Sequence, residues 1–289
     1  MIPAPFDYHR AASLDEAIGL LTRYGADAKV LSGGMSLLPT LKLRLGSFGH
    51  LVDISRIAAL EYVKEEKGQV RIGAGTRQAT LERSDLIKSK FGALADAIPL
   101  IADPLVRNRG TIGGNVANGD PANDWPALVI ALGAELVAKG PKGERTIAAN
   151  RFYKDLFVTD LKSDEILAEI RLPVPPPQSG SAYRKLKRKT GDYAAAAVAV
   201  QLVLKGGSVE RAGIGLTNVA PTALEAVAAM KFLVGKSPDD KNIQETAKLC
   251  AQAAAPSADR RGSVEYKKEM TRVLAARAIK AALERAGRN

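Results

Sequence analysis

Two glycine pairs carry the residues best suited to hold a phosphate group. The first lies in Ser32-Gly33-Gly34-Met35-Ser36 and the second in Thr111-Ile112-Gly113-Gly114-Asn115. Glycine has no Cβ, so its backbone can approach a ligand closely, and neighbouring N–H groups and hydroxyls can cradle an anion. Each pair follows a hydrophobic run. The pattern predicts that two distant segments clamp one extended dinucleotide from both sides.

Other reactive residue types are too few to build a metal site or a nucleophile. The 289 residues include one cysteine, Cys250, and two histidines, His9 and His50. A single cysteine forms no internal disulfide, no redox pair and no cysteine-ligated iron–sulfur cluster. The histidines show no metal-ligand spacing and have no nucleophile partner. The sequence therefore predicts that this chain holds no metal and supplies no catalytic nucleophile.

The formal net charge of +11 allows two interpretations. Basic residues cluster in residues 184–189 and again at Arg260, Arg261, Lys267, Lys268 and Arg272. Dense Lys/Arg stripes neutralise phosphates, so a nucleic-acid surface is one interpretation. No aromatic interleaving, RNA-binding strand motif or helix-turn-helix pattern accompanies them. The clusters favour the second interpretation, a solvated face or a face complementary to an acidic partner.

The composition indicates a soluble protein, with 46% hydrophobic and 25% charged residues. Residues 1–7 have neither a basic nor an apolar signal region, and no apolar stretch is long enough to span a bilayer. We expect a cytoplasmic protein, at most peripheral to the inner face of a membrane through its complex.

Three blocks must position the glycine pairs. In residues 1–55, a capping box at Ser13 starts a helix that ends at Gly25, and the order strand, glycine turn, helix follows. Residues 56–175 contain a strand over 69–75, a helix capped by Thr76, a helix over 91–101 and a buried helix over 127–132. The stretch over residues 103–115 is polar and rich in glycine, and loops of that composition in a compact domain usually carry function.

The third block, residues 176–289, follows a proline-rich linker over residues 173–180. Long strands come first, with a hairpin signal at Gly206-Gly207, and helices close the chain. Strands followed by helices predict an α+β domain, here a three-stranded antiparallel sheet covered by helices.

Three segments in order, residues 32–45, 103–115 and 187–194, resemble one family across the whole chain. They are similar to the FAD-binding medium subunits of the molybdenum hydroxylases (the xanthine oxidase family), most of all those of the carbon monoxide dehydrogenase type. The resemblance implies an α+β fold: a two-lobed FAD-binding domain of the vanillyl-alcohol-oxidase/PCMH type and a C-terminal α+β domain. FAD would lie non-covalently between the first two blocks.

The resemblance also implies a site and partners. The residues it assigns to FAD are Ser32, Gly33, Gly34, Met35, Ser36, Leu37, Ile101, Thr111, Ile112, Gly113, Gly114, Asn115, Asp124, Leu167, Lys185 and Tyr193. A large subunit would carry the molybdenum cofactor and a small subunit two [2Fe-2S] clusters, in a dimer of heterotrimers. Electrons would reach FAD from those clusters and leave to a quinone or similar acceptor.

Within that site the two glycine loops would bind the pyrophosphate through amides and hydroxyls, and Asp124 would accept from a ribose hydroxyl or cap its loop. Tyr193 would stack on the isoalloxazine, and the Lys185 cation would favour its anionic reduced form. Ser32 and Met35 replace the family's usual alanine and glutamine or histidine. Met35 removes a side-chain hydrogen bond, so we expect weaker FAD binding.

Two other functions stay open from the sequence. One is a self-contained flavin reductase or oxidase of the same fold, although no serine proton donor with a carboxylate partner is evident. The other is a module that binds phosphate or nucleic acid through the glycine loops alone. The substrate of a complex, whether carbon monoxide, an aldehyde or an N-heterocycle, would be selected in another subunit.

Overall fold

The computed structural model describes residues 2–287 and contains three main sheets, one for each predicted block. Residue 1 of the first predicted block and residues 288 and 289 of the third lie outside the described residues. The N-terminal lobe is a parallel sheet in the order β1-β3-β2. Its elements are β1 Asp7–Arg10, α1 Leu14–Tyr24, β2 Ala28–Leu31, α2 Leu37–Lys42 and β3 His50–Asp53.

The ends of helix α1 agree with the predicted signals. The Ser13 hydroxyl accepts from the Glu16 N–H at 3.1 Å, and the Glu16 carboxylate accepts from the Ala12 N–H at 2.7 Å. Gly25 ends the helix at φ +55°, a conformation that favours glycine. Strand β2 then leads directly into the first glycine pair, which lies at the carboxyl edge of the parallel sheet.

The second lobe is a five-stranded antiparallel sheet in the order β4-β5-β10-β6-β7, with short helices against it and a small β8-β9 hairpin. Its elements are β4 Val63–Glu66, β5 Gln69–Gly73, α3 Gln78–Arg83, α4 Asp85–Lys90, α5 Gly92–Ala97, α6 Pro104–Arg107, α7 Ile112–Ala117, α8 Asp124–Ala131, β6 Glu135–Gly140, β7 Gly143–Ala148, α9 Ala149–Phe152, β8 Tyr153–Asp155, β9 Val158–Thr159 and β10 Ile166–Pro173.

The C-terminal part confirms the three long antiparallel strands and adds a fourth strand of two residues at the edge. The Gly206-Gly207 hairpin also forms, with both glycines at positive φ. The elements are β11 Ser179–Leu186, β12 Ala196–Lys205, β13 Ser208–Thr217, β14 Leu224–Glu225, α10 Val227–Leu233, α11 Asp240–Ala253 and α12 Val264–Ala286.

Glycines bring two helices into backbone contact with this last sheet. A Cβ on Gly213 or Gly215 would lie 2.0 or 2.1 Å from a carbonyl oxygen of α8, and one on Gly180 would lie 1.9 Å from a carbonyl oxygen of α12. Because α8 belongs to the second lobe, that lobe and the C-terminal sheet share one hydrophobic core, which includes the buried Tyr183.

One local prediction was wrong, and two differ from the structure in detail. The Thr76 hydroxyl does not cap α3, because it bonds instead to the backbone N and O of Tyr62, at 3.1 and 3.0 Å. The helix expected over residues 91–101 is α5 followed by a 3-10 turn over Ile98–Leu100, where Pro99 supplies no N–H. The proline-rich linker is also shorter than expected, since β10 and β11 leave only residues 174–178 between them.

Among residues 2–287, no helix combines the length and the apolar character needed to cross a membrane.

Candidate functional site

The first glycine pair forms an open loop whose backbone donors are free. Gly34 takes φ +76°, and the Leu38 N–H bonds back to its carbonyl oxygen at 3.0 Å. Within the described part of the chain, the N–H groups of residues 33–37 donate to no protein acceptor. Met35 is exposed, and Ser32, Gly33, Ser36 and Leu37 are half-buried. Free backbone N–H groups of this kind can bind an anion.

The second glycine pair is the start of a helix, and its donors are already bonded. Thr111 is the N-cap of α7, and its hydroxyl accepts from the Gly114 N–H at 3.1 Å. The N–H groups of the three neighbouring residues bond to backbone oxygens at 2.9 to 3.1 Å: Ile112 to Thr76, Gly113 to Ala74 and Asn115 to Thr111. This geometry differs from the expectation that amides of both loops are available to a pyrophosphate.

The two pairs lie against each other although 79 residues separate Ser32 from Thr111. Their hydroxyl oxygens are 2.9 Å apart. Gly33 faces the backbone just before Thr111, where an added Cβ would be 2.3 Å from the Arg109 carbonyl oxygen. The first pair therefore needs glycine for contact with the second segment as well as for access to a ligand.

Two buried side-chain oxygens of the second segment and its neighbour have no protein partner within residues 2–287: Oδ1 of Asn115, and Oε1 of Gln78, whose backbone N–H bonds to the Gly110 carbonyl oxygen. Burying an amide oxygen without a donor is costly, so such an atom marks a place where a ligand hydroxyl or water would bind.

Asp124 and Lys185 form a buried ion pair. The Lys185 ammonium lies 2.9 Å from Oδ2 of Asp124 and 3.2 Å from the Leu100 carbonyl oxygen, and the two side chains are 1% and 5% exposed. The Tyr183 hydroxyl donates to Oδ1 of Asp124 at 2.5 Å. Burial raises the pKa of Asp124, and Lys185 and Tyr183 oppose that rise. Each carboxylate oxygen of Asp124 thus accepts a hydrogen bond from a side chain that the expected ribose contact or loop cap did not include.

Tyr183 was not among the residues predicted from the sequence. It lies two positions before Lys185 on β11, so both side chains point to the same face of the sheet. That alternation, applied to the predicted strand, is the signal that could have identified it. Burial, with Asp124 as a further cause, raises the pKa of the Tyr183 hydroxyl well above its ordinary value.

Of the remaining predicted residues, two lie in the core and one is exposed. Ile101 and Leu167 are 5% and 3% exposed and belong to the core shared by the second lobe and the C-terminal sheet. Ile101 follows Leu100, whose carbonyl oxygen binds Lys185. Tyr193 is 43% exposed, and the Arg261 guanidinium lies 5.6 Å from its ring centroid.

The basic run over residues 184–189 is largely paired. Arg184 binds Asp96 at 2.8 Å, Lys185 binds Asp124, and Arg188 binds Asp192 at 3.2 Å. The second basic cluster is similar, because the buried Lys267 lies 2.9 Å from Asp259. These pairs reduce the positive charge that the clusters would offer to a nucleic acid, although Arg188 itself is 57% exposed.

Metal-ligating groups are not gathered anywhere in the described residues: no three His, Cys, Asp or Glu side chains are placed to hold an ion. Cys250 is buried, and burial raises the pKa of its thiol to about 12.

Comparison with known proteins extends over nearly the entire chain. A family model described as the FAD-binding domain in molybdopterin dehydrogenase matches residues 4–175, and one described as the CO dehydrogenase flavoprotein C-terminal domain matches residues 181–282. The carbon monoxide dehydrogenase medium chain of Afipia carboxidovorans is 47% identical, with 99% of both chains covered. The glyceraldehyde dehydrogenase medium chain of Sulfolobus acidocaldarius is 37% identical, with 97% and 99% covered.

The solved structures include the same architecture. A chain of the carbon monoxide dehydrogenase from Hydrogenophaga pseudoflava that lacks the Mo-pyranopterin moiety of its cofactor superimposes with a TM-score of 0.96 at 47% identity, covering 99% of both chains.

Proposed function

This chain belongs to the FAD-binding subunits of the molybdenum hydroxylases, which confirms the resemblance seen in its sequence, and we propose that it serves as the medium subunit of a carbon monoxide dehydrogenase-type complex. In that role it receives electrons from the [2Fe-2S] clusters of a small subunit and passes them to a quinone or similar acceptor. A large subunit with the molybdenum cofactor oxidises the substrate. We expect a cytoplasmic dimer of heterotrimers.

The observation that carries this proposal is the junction of the two glycine segments. Free N–H groups at residues 33–37 adjoin the contacting hydroxyls of Ser32 and Thr111. A charge-assisted hydrogen bond contributes about 1.5–3 kcal/mol, so a few such bonds hold a pyrophosphate without covalent attachment. These residues therefore fit the diphosphate of FAD.

The two segments have different tasks in this proposal. Residues 33–37 donate their N–H groups to the pyrophosphate. The α7 segment, whose N–H groups are bonded internally, forms the wall behind it and offers the hydroxyl of Thr111, while the Asn115 side-chain oxygen is free to accept from a ligand hydroxyl or water. Gly113 and Gly114 are then needed for packing, and their backbone donors do not reach the ligand.

The Asp124–Lys185 pair sets the charge beside the flavin. The isoalloxazine of FAD, when bound, supplies the electron storage, and a nearby cation stabilises the negative charge gained on reduction. Because Lys185 is already paired with Asp124, its net effect at the ring is smaller than that of a free ammonium. Asp124 is thereby a partner of Lys185. Ile101 and Tyr193 supply apolar walls beside the flavin, and Leu167 lies toward the adenine end.

Carbon monoxide is the substrate we propose for the complex. The support is the 47% identity to a carbon monoxide dehydrogenase medium chain, against 37% to a glyceraldehyde dehydrogenase medium chain. Since the substrate is selected in the large subunit, the assay needs the purified complex. Anaerobic addition of carbon monoxide should bleach its flavin bands, and glyceraldehyde should not; the reverse would reassign the complex.

The proposal is tested first by the visible spectrum of the full chain, alone and co-purified with its partners, followed by acid extraction. We expect a yellow protein that releases FAD in at least one preparation. Absence of flavin in both would contradict FAD binding. If a reductant substrate bleached the isolated chain, the self-contained reductase would be favoured.

A further inference from the structure

The turn between Leu100 and Asp103 has an unusual backbone. Ala102 takes φ +47°, in the left-handed region that residues with a Cβ rarely adopt. Strain of this kind persists only where the surrounding structure enforces it, and it concentrates at functional sites. The turn joins the 3-10 turn Ile98–Leu100 to helix α6 and contains Ile101, one of the residues assigned to the flavin.

Arg107 enforces this conformation from one side. Its Nη1 donates to the Ile101 carbonyl oxygen at 2.9 Å, while its Nε and Nη2 donate to the two carboxylate oxygens of Glu82 at 2.9 and 3.2 Å. The Arg107 side chain is 9% exposed. A planar guanidinium bound in this two-point manner has a fixed orientation, so its third contact is fixed too.

Lys185 holds the same turn from the other side. Its ammonium donates to the carbonyl oxygen of Leu100 at 3.2 Å while paired with Asp124. The carbonyl oxygen of Ala102, two residues after Leu100, faces Gly191, where an added Cβ would lie 3.4 Å away. Two successive carbonyl groups, at Leu100 and Ile101, are therefore each bound by a different buried cation.

The consequence concerns the N–H of Ala102. In a planar trans peptide, the C=O of Ile101 and the N–H of Ala102 point in opposite directions. By holding the Ile101 oxygen, Arg107 directs the Ala102 N–H away from itself. That N–H donates to no acceptor within residues 2–287, and Ala102 is half-buried.

We propose that Arg107, held by Glu82, is a positioning residue that directs the Ala102 N–H at the isoalloxazine of bound FAD. This inference rests on the proposed function, because it requires the flavin to lie beside Ile101. A hydrogen bond from this N–H to a ring nitrogen or oxygen stabilises the negative charge gained on reduction. The Arg107–Glu82 pair thereby raises the midpoint potential of the flavin without touching it.

The test is the flavin midpoint potential of the full chain loaded with FAD, measured by spectroelectrochemistry. Arg107→Lys keeps the charge but cannot bind Glu82 and Ile101 with the same fork. We expect its midpoint potential to fall and its FAD dissociation constant to rise about tenfold. Glu82→Gln leaves Arg107 in place with a weaker anchor, so we expect a smaller fall in potential in the same direction.

Arg145→Lys is the matched control. Arg145 also binds carboxylates through its fork, Glu165 at 2.7 and 2.8 Å and Asp160 at 2.7 Å, but it lies on β7 and contacts none of the assigned flavin residues. Its variant should lose stability and keep the wild-type potential.

The inference is overturned if Arg107→Lys and Glu82→Gln keep the wild-type potential and lose only stability, as the control does. A wild-type chain that takes up no FAD, alone or in its complex, overturns the proposed function and this inference together. The two failures are distinguished because only the second is visible without a variant.

Discussion

The two glycine pairs look alike in the sequence and differ in the structure. At residues 33–37 the backbone N–H groups are free, whereas at residues 112–115 every N–H is bonded within the protein. The reason is their position: the first pair leaves a parallel strand at the open edge of a sheet, and the second begins a helix packed on Ala74. A glycine pair can therefore serve either ligand access or backbone packing. Free backbone N–H groups indicate the first role, and N–H groups bonded within the protein indicate the second.

The largest effect on stability is expected at Gly113, because the second glycine pair serves backbone packing. A Cβ there would lie 2.4 Å from the Cβ of Ala74 and 2.6 Å from its carbonyl oxygen. We expect Gly113→Ala to lower the free energy of unfolding of the FAD-free chain by about 3 kcal/mol, because backbone must move to admit it. Denaturant titration measures this.

Gly19→Ala is the control for that experiment. Gly19 lies in α1 with nothing within 4 Å of an added Cβ. Alanine is the better helix former by about 1 kcal/mol, so this variant should be stabilised. Equal stability of the Gly113→Ala and wild-type chains would contradict the packing role.

The next effect is at Gly34, in the pair assigned to the ligand. Its φ of +76° disfavours alanine by about 1–2 kcal/mol. A reshaped loop misdirects the N–H groups of residues 33–37, so we expect Gly34→Ala to weaken FAD binding by about a hundredfold, the equivalent of one or two charge-assisted hydrogen bonds. Quenching of flavin fluorescence gives the dissociation constant.

Gly206→Ala separates the backbone cost from the ligand effect. Gly206 takes φ +58° in a remote hairpin with open space around it. It should show a comparable stability loss with unchanged FAD affinity. If Gly34→Ala bound FAD as tightly as Gly206→Ala, the first pair would have no special role.

A smaller effect is expected at the hydroxyl contact that joins the pairs. Thr111→Ala removes both the cap of α7 and the bond to Ser32, and should cost about 1–2 kcal/mol of unfolding free energy. Ser32→Ala removes only the shared bond and should cost about 1 kcal/mol. The double variant should be less destabilised than the sum of the two. Strict additivity would show that the pairs are not coupled through these hydroxyls.

The smallest effect is expected at Met35, where the family resemblance leads us to expect glutamine or histidine. Met35 is 38% exposed, so Met35→Gln should leave stability within about 0.5 kcal/mol of wild type. An added side-chain hydrogen bond should tighten FAD binding by about fivefold. Isothermal titration calorimetry would detect it, and weaker binding would mean that the methionine itself contacts the cofactor.

Local signals were sufficient where the partners are close in sequence. The Ser13 cap, the Gly25 stop and the Gly206-Gly207 turn follow from the φ angles and hydrogen bonds that those residue types favour. The family resemblance supplied the remaining site residues, and comparison confirmed the family.

Long-range partners could not be predicted in this way. The Thr76 hydroxyl was expected to cap a helix N-terminus. Instead it forms two hydrogen bonds with the backbone of Tyr62, which is 14 residues away in the sequence. Likewise, Tyr183 donates to one oxygen of Asp124, which is 59 residues away, and no pattern in the sequence indicated this pair. A buried polar group bonds to whichever partner the tertiary fold brings near, which sequence spacing does not encode.

The most direct test of the contrast between the two glycine pairs is backbone amide hydrogen exchange, resolved by NMR, with and without FAD. We predict that the N–H groups of residues 112–115 are protected in both states, and that those of residues 33–37 exchange rapidly until FAD is added. Rapid exchange at residues 112–115 that slows on FAD addition as much as at residues 33–37 would contradict the account, because both pairs would then bind the cofactor through their backbone.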